Sequence, residues 1–386
     1  MIKTLTAHTE ELDDVSLAVS EILEQLNLDK NLLKNAVGFI TCHSDFVQTG
    51  VVDELCKQLP FSTVGATTLS TAVPDEMGQL MLGISVLTSD DVSFSAAATE
   101  SLTPDNLSTQ IETAYKRAAA VLPGQPSLII TFAPLGFNIA GDHVVDMLDK
   151  ASNQTPIFGT LAVDHTTDYH TAQTIFNGKT YRDALSLVVF SGPVNPAFSI
   201  ESVSDEKILG QKAIITSSQG NILQGVNDVS VIEYLQSIGL APNKKIDGLN
   251  VIPFILDFND GTKPVARAMF ALTPEGYAVC GGIMPVNTTL GIGSIDHDEV
   301  IATTKKSITK IAQSNQNNGL IIFSCVVRNI VLGFDVMAEM ETVRDILGAK
   351  TPYIMSYSGG EICPVPGENG KLVNRFHNDT IITCSF

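Results

Sequence analysis

One arrangement of apolar and polar positions occurs three times along this chain. A short apolar run is followed by a polar loop, a segment with apolar residues at three- and four-residue spacing, and a second apolar run with a small-residue exit. The first copy reads AVGFITCHSDF, VVDELCKQL, Pro60 and FSTVGATTLS. The second reads SLIITFAPLGFN, GDHVVDMLDKA, Pro156 and IFGTLAVD, and the third GLIIFSCVVRN, FDVMAEMETVRDIL, Pro352 and YIMSYSGGEICP. Apolar runs such as 128–132 and 320–323 have the length of buried strands. The stripes Val144, Val145, Leu148 and Met337, Met340, Val343 predict helices with one face packed on a sheet. A strand, a crossover helix and a second strand predict parallel pairing with a right-handed crossover. The proline before each second strand ends the helix there, because it disfavours helical geometry at the residue preceding it.

Between these units the pattern changes to alternation and turns. LMLGISVLTSDDVSFSAAA predicts two strands joined at Ser89–Asp90–Asp91, and Asn177–Gly178 is a strong two-residue hairpin signal. ARAMFALTPEGYAVCGGIMPVNTTLGIGSI alternates strands and turns in the same way. The expected fold class is α/β to α+β: mixed sheets of β-loop-α-β units with hairpins, in two layered domains. Residues 1–200 are expected to hold two units and 201–386 the third.

Composition narrows the function. The chain has 386 residues, 44% of them hydrophobic, and a net charge of −19. Such a charge disfavours nucleic acid and anionic membrane surfaces as partners. The N-terminus lacks a signal-peptide pattern and no run is long enough to span a bilayer, so a cytoplasmic protein is expected. The cysteines at 42, 56, 280, 325, 363 and 384 form no CxxC pair and read as reduced, packed thiols. No GxSxG elbow, HExxH or kinase signature occurs, so no catalytic machinery is legible.

Several segments resemble the FIST family, whose N- and C-terminal domains usually occur together. They are VGATTLS, IFGTLAVD with FNGKTYRDALSLVVF, QKAIITSSQGNILQGVNDVSVIEYL, IIFSCVVR, TPYIMSYSGGEICP and LVNRFHNDTIITCSF. The resemblance implies an intracellular, bacterial sensor of a small molecule. Its free-standing form resembles the haem-based nitric-oxide sensors, NosP. That branch implies haem b as cofactor, a histidine kinase or cyclic-di-GMP enzyme as signalling partner, and room for a homodimer. The alternative ligand is an amino acid or other small carboxylate, and a cysteine-dependent enzyme using Cys325 or Cys363 is a further alternative.

Candidate residues follow from position, since ligands of parallel α/β units sit beyond the carboxyl ends of the strands. Those ends are Cys42–Asp45, Pro134–Asn138, Cys325–Asn329, Thr67–Ser70, Asp164–His165 and Ser356–Glu361. His43 and His165 are candidate haem axial ligands, against the plainer reading of loop histidines. His170 completes DHTTDYH, which lacks the helical spacing of a metal site. His143 and His297 each follow an Asp expected to cap a helix, and His8 and His377 have no suggestive context. Arg328 would clamp a carboxylate or hold a structural ion pair. Tyr357, Gly359, Gly360 and Glu361 would line the ligand, the glycines allowing close backbone approach.

Overall fold

In a computed structural model, residues 1–136, 139–166, 168–240, 251–313 and 318–386 are described. Phe137 and Asn138, the end of one expected strand exit, lie outside them.

The threefold pattern of the sequence becomes three copies of a larger unit. The first runs β1 (Ile2–Thr9), α1 (Val15–Leu26), the short α2 (Leu28–Asn31), β2 (Asn35–Cys42), the short α3 (Asp45–Gln48), α4 (Val51–Gln58) and β3 (Ser62–Thr67). The hairpin β4 (Thr71–Ala72) and β5 (Met77–Gly78) and then β6 (Leu82–Ser89) complete it. The second is β7 (Ser93–Ala98), α5 (Leu107–Ala119), β8 (Pro126–Ala133), α6 (Gly141–Ala151), β9 (Ile157–Leu161), the hairpin β10 (Thr174–Phe176) and β11 (Lys179–Tyr181), and β12 (Ser186–Ser191).

The third unit opens with β13 (Ala197–Glu201) and is then interrupted. The insertion contains β14 (Ala213–Gln219), β15 (Ile222–Val226), β16 (Val229–Ser230), α7 (Val231–Ser237), β17 (Ile252–Asp257), β18 (Val265–Leu272), β19 (Ala278–Cys280) and β20 (Thr289–Ile292). The unit resumes with α8 (His297–Ala312), β21 (Leu320–Cys325), α9 (Val326–Leu332), α10 (Ala338–Leu347) and β22 (Tyr353–Ser358). The hairpin β23 (Glu361–Pro366) and β24 (Leu372–His377) and then β25 (Ile381–Ser385) close it.

Each unit builds one six-stranded sheet, but takes its hairpin from another unit. The orders are β1-β6-β2-β3-β10-β11, β7-β12-β8-β9-β23-β24 and β13-β25-β21-β22-β4-β5. The first unit thus gives its hairpin to the third sheet, the second to the first, and the third to the second. The parallel pairs β2–β3, β8–β9 and β21–β22 are the strand pairs predicted from sequence. The insertion forms a sheet of its own, β14-β20-β17-β18-β19-β15-β16, with α7 against it.

The inner faces of the three sheets meet in one apolar core. Phe132 and Phe323 meet edge to face at 5.7 Å, Phe158 and Phe323 stack at 5.4 Å, and Phe39 lies 6.4 Å from Phe132. Full burial of each ring is worth roughly 1.5–3 kcal/mol. The outer faces are covered by helix pairs, α1 and α4, α5 and α6, and α8 and α10. The helix stripes supply that contact, through residues such as Leu148 and Val343.

Some local expectations fail for physical reasons. The two strands expected on either side of Ser89–Asp90–Asp91 are present as β6 and β7, which go to different sheets and so do not pair. Ser89 Oγ accepts from the amides of Asp91 and Val92, and buried Val92 turns the chain into the common core. The third helix of the pattern begins at Ala338 rather than Phe334, and CVVRN opens into α9 rather than a loop. The expected boundary at 200–201 falls inside β13, the first strand of the third unit, and two hairpins cross it. Asn177 and Gly178 do form the expected turn, with φ of 49° and 80°.

Candidate functional site

The exits of the three second strands are corners, where the chain leaves one sheet for the next. These corners touch one another. Val163 N donates to Thr67 O at 3.2 Å, Gly359 N to Leu161 O at 3.0 Å, and Thr68 Oγ1 to Tyr357 O at 2.8 Å. The three bonds close a ring around the carboxyl ends of the parallel strands, the position at which α/β folds place ligands.

Glycine is required in the third corner. Gly360 has φ +144° and a Cβ there would run into the ring of Phe376, while a Cβ on Gly359 would crowd Val163. Both residues therefore serve the passage from β22 to β23, and Gly359 also supplies the ring bond. Glu361 is fully buried just beyond them and accepts from the hydroxyls of Ser358 and, at 2.6 Å, Thr380. Burial first, and Asp379 to a lesser extent, raise its carboxyl to about 8 despite these donors.

Asp379 is the residue that sequence reading missed. It lies between β24 and β25 with φ +54°, is fully buried, and neither carboxylate oxygen has a hydrogen-bond partner among the described residues. Burial lifts it to about 7, with Arg328 opposing the rise. Neighbouring Asn378 is also buried, with both amide atoms unpartnered, against Gly281 and Gly360. The signal was present as the polar run HNDT between two apolar strands, but Asn-Asp reads first as a turn.

Cys325 joins these carboxyls to an apolar patch. Its buried thiol packs with Ala268, Val326 and Val327, while Leu69, Tyr169 and Phe270 cover the group. Burial, then Glu361 and Asp379, push the thiol well above its ordinary range. Cys363 is likewise buried and raised by burial. Both remain protonated thiols, poor nucleophiles as they stand.

Asp164 organises the adjacent loop. Its two oxygens accept from the amides and hydroxyls of Thr166 and Thr171 at 2.5–2.6 Å. Burial alone would raise its pKa, but these bonds hold it below the usual carboxylate range. The loop so fixed carries Tyr169, with φ +53°, onto the patch at Cys325.

The histidine candidates are brought together. His43 and His165 stack with ring centroids 4.2 Å apart and planes 18° apart. His43 is buried and its pKa is lowered, by burial first and His165 second, so a neutral ring is favoured. His165 is exposed, with Nδ1 3.4 Å from Ser44 Oγ. Lone pairs of stacked imidazoles lie in their ring planes, side by side, so this pair does not fit as two axial ligands of one iron. A single imidazole remains suited to the role. Among the described residues no group of three or more His, Cys, Asp or Glu side chains could hold a metal ion.

Arg328 takes the other course weighed for it. It lies on α9, fully buried, and turns away from the corners toward α8 and α10. Nε and Nη2 bind Glu339 Oε1 at 3.0 and 2.7 Å, Nη1 reaches Thr303, and Nη2 also reaches Thr304 and Val300 O. Tyr357 is buried in the same core, its hydroxyl 3.4 Å from Val336 O. Of the remaining histidines, His170 binds exposed Asp168 and His297 binds Asp335. His377 is buried and bonds Cys363 O at 3.0 Å, and burial pushes it down to about 3. Asp296 caps α8 as expected, through the amide of Glu299. Asp142 does not cap α6: it sits one residue inside the helix, where Arg267 and the amide of Ile283 bind its carboxylate.

Grooves on the surface lie elsewhere. One of about 590 Å³ runs between α1 and α4 past Val15, Leu23 and Glu54, open to solvent and without convergent chemistry. No helix among the described residues is long and apolar enough to cross a membrane.

No curated protein matches the chain. Two solved structures of a cyanuric acid hydrolase, one from A. caulinodans, are similar at 10% identity, each covering 100% of this chain and 98% of the other. Their TM-scores of 0.35 and 0.38 carry no argument about fold or function. The FIST N domain model matches residues 36–228 and the FIST C domain model residues 232–364. FIST domains are small-ligand sensory domains. With both models matched over most of its length, the chain belongs to the FIST family.

Proposed function

We propose that this protein is a small-ligand sensor that seats its ligand where the three corners meet, against Asp379. One observation carries the reading: a fully buried carboxylate with both oxygens unpartnered among the described residues. A buried polar group left unpaired costs about 1–3 kcal/mol, and more when charged. A ligand that supplies the missing hydrogen bonds recovers that loss. Because the corners are bonded in a ring, a displacement at one is passed to the others. We propose a separate signalling enzyme as the receiver, a histidine kinase or cyclic-di-GMP enzyme, in keeping with the family's sensory role.

A library of metabolites screened by thermal shift tests the seat. A stabilising compound should lose its effect on Asp379→Asn and keep it on Glu54→Gln, in the groove between α1 and α4. Equal stabilisation of wild type and Asp379→Asn would overturn the assignment.

Haem with nitric oxide is the second reading, supported by the neutral imidazole favoured at His43. Bound haem would supply an iron that takes the gas, with one ring nitrogen of His43 or His165 as its protein ligand. A Soret band on haem titration, lost in His43→Ala or His165→Ala, would support it. A band that survives both substitutions excludes this pair.

A further inference from the structure

We infer that the Asp379–Glu361 corner is a subsite for an organic ammonium group on an apolar stem, and that a proton leaves the carboxyl pair when this group binds. The inference rests on the seat proposed above and adds the chemical class of its occupant.

Three features point to this class. First, the free acceptors belong to Asp379, whereas Glu361 already accepts from Ser358 and Thr380. An ammonium can donate to Asp379 without displacing those hydroxyls. Second, the neighbouring charges make the corner acidic. The groups that act on it are Glu361 at the start of β23, Asp379 before β25, Cys325 at the end of β21, Tyr169 on the loop after β9, and Arg328 on α9. Arg328 is the cation that both carboxyls feel, but its guanidinium is held by Glu339 and the threonines of α8. A ligand carboxylate would meet two acids and an engaged arginine, whereas an ammonium meets unspent acceptors. Third, Cys325 places Leu69, Tyr169, Val326 and Phe270 next to the carboxyls, an apolar surface for the stem.

The proton follows from burial. Two carboxyls at one buried site do not both ionise without a counter-charge, so before an ammonium binds the corner keeps at least one proton. An incoming ammonium supplies the counter-charge, keeps its own protons, and the carboxyl proton passes to water. Both carboxyls stand raised by burial, to about 7 and about 8, which agrees with this order of events.

The test uses n-butylammonium chloride, neutral butyramide and sodium butyrate at matched ionic strength, with amide hydrogen exchange read at residues 67–70, 161–165 and 358–361. Butylammonium alone should slow exchange there, and its apparent affinity should rise toward about tenfold per pH unit below pH 7, the slope of one released proton. Asp379→Asn should abolish the protection while unfolding stays cooperative, and Glu361→Gln should keep a one-proton slope, since burial by itself raises Asp379. Protection by butyrate or butyramide instead would overturn the ammonium inference and leave the seat standing. Protection by none of the three would also overturn it, and the seat would then be decided by the library screen alone. A butylammonium affinity unaffected by pH would overturn the proton release.

Discussion

Replacing Arg328 separates a structural cation from a ligand-binding one. Arg328 and Glu339 are both fully buried and are bound by Ser324, Thr303, Thr304 and the carbonyl of Val300. The pair therefore ties β21 and α9 to α8 and α10. Arg328→Ala leaves the Glu339 carboxylate buried without its cation, a class of change that costs about 3–5 kcal/mol. With a urea slope of about 3 kcal/mol/M, the upper end of the small-protein range, the unfolding midpoint should fall by about 1–1.7 M. Arg328→Met with Glu339→Leu removes both charges and should recover most of the loss, since apolar replacement of a buried pair is often neutral or stabilising. Urea unfolding followed by circular dichroism gives both midpoints. An Arg328→Ala protein with an unchanged midpoint but no ligand response would refute the reasoning and return Arg328 to the binding site.

Two further predictions concern the corner itself. Because Asp379 is raised from 3.8 to about 7, the native state holds a proton that the unfolded chain releases above pH 4. Its contribution is intact below pH 4 and is lost as the pH rises toward 7. Asp379→Asn should therefore be more stable than wild type at pH 8, by up to about 4 kcal/mol at about 1.4 kcal/mol per unit. Denaturation at pH 5 and pH 8 measures this, and a wild-type advantage at pH 8 without ligand would contradict it. Gly360→Ala places a Cβ against Phe376 at φ +144° and should destabilise by about 2 kcal/mol or more, visible as a lower melting temperature.

The sequence pattern exposed the strand–helix–strand heart of each unit, because a buried parallel pair and an amphipathic helix both leave periodic signatures. It did not expose the flanking strand and helix of each unit, such as β1 with α1. Nor could it show that 71–78 pairs with β22 rather than with its own unit, because pairing partners leave no periodicity in a single chain. His43, His165 and Glu361 were found from strand-end position alone. Arg328 was placed at the right strand end with a clamp and an ion pair both open, and the helical turn after Cys325 rotates its side chain toward α8 and α10, into the ion pair with Glu339. Asp379 escaped because a lone acid between two strands is ordinary in sequence and unusual only once its burial and missing partners are seen.

The exchanged hairpins also set the order in which this chain can finish folding. The first sheet has its full set of strands once Tyr181 is made, but the second leaves the edge of β9 bare until β23 and β24 arrive. Some 200 residues separate Leu161 from Glu361. At about 5–20 residues per second, synthesis of that stretch takes roughly 10–40 s. Throughout that interval the nascent chain presents an open strand edge beside an unfinished core, the kind of surface that pairs with other chains. Expression of this protein should therefore respond to chaperone supply and to translation rate over residues 161–361 more than to the stability of the finished fold.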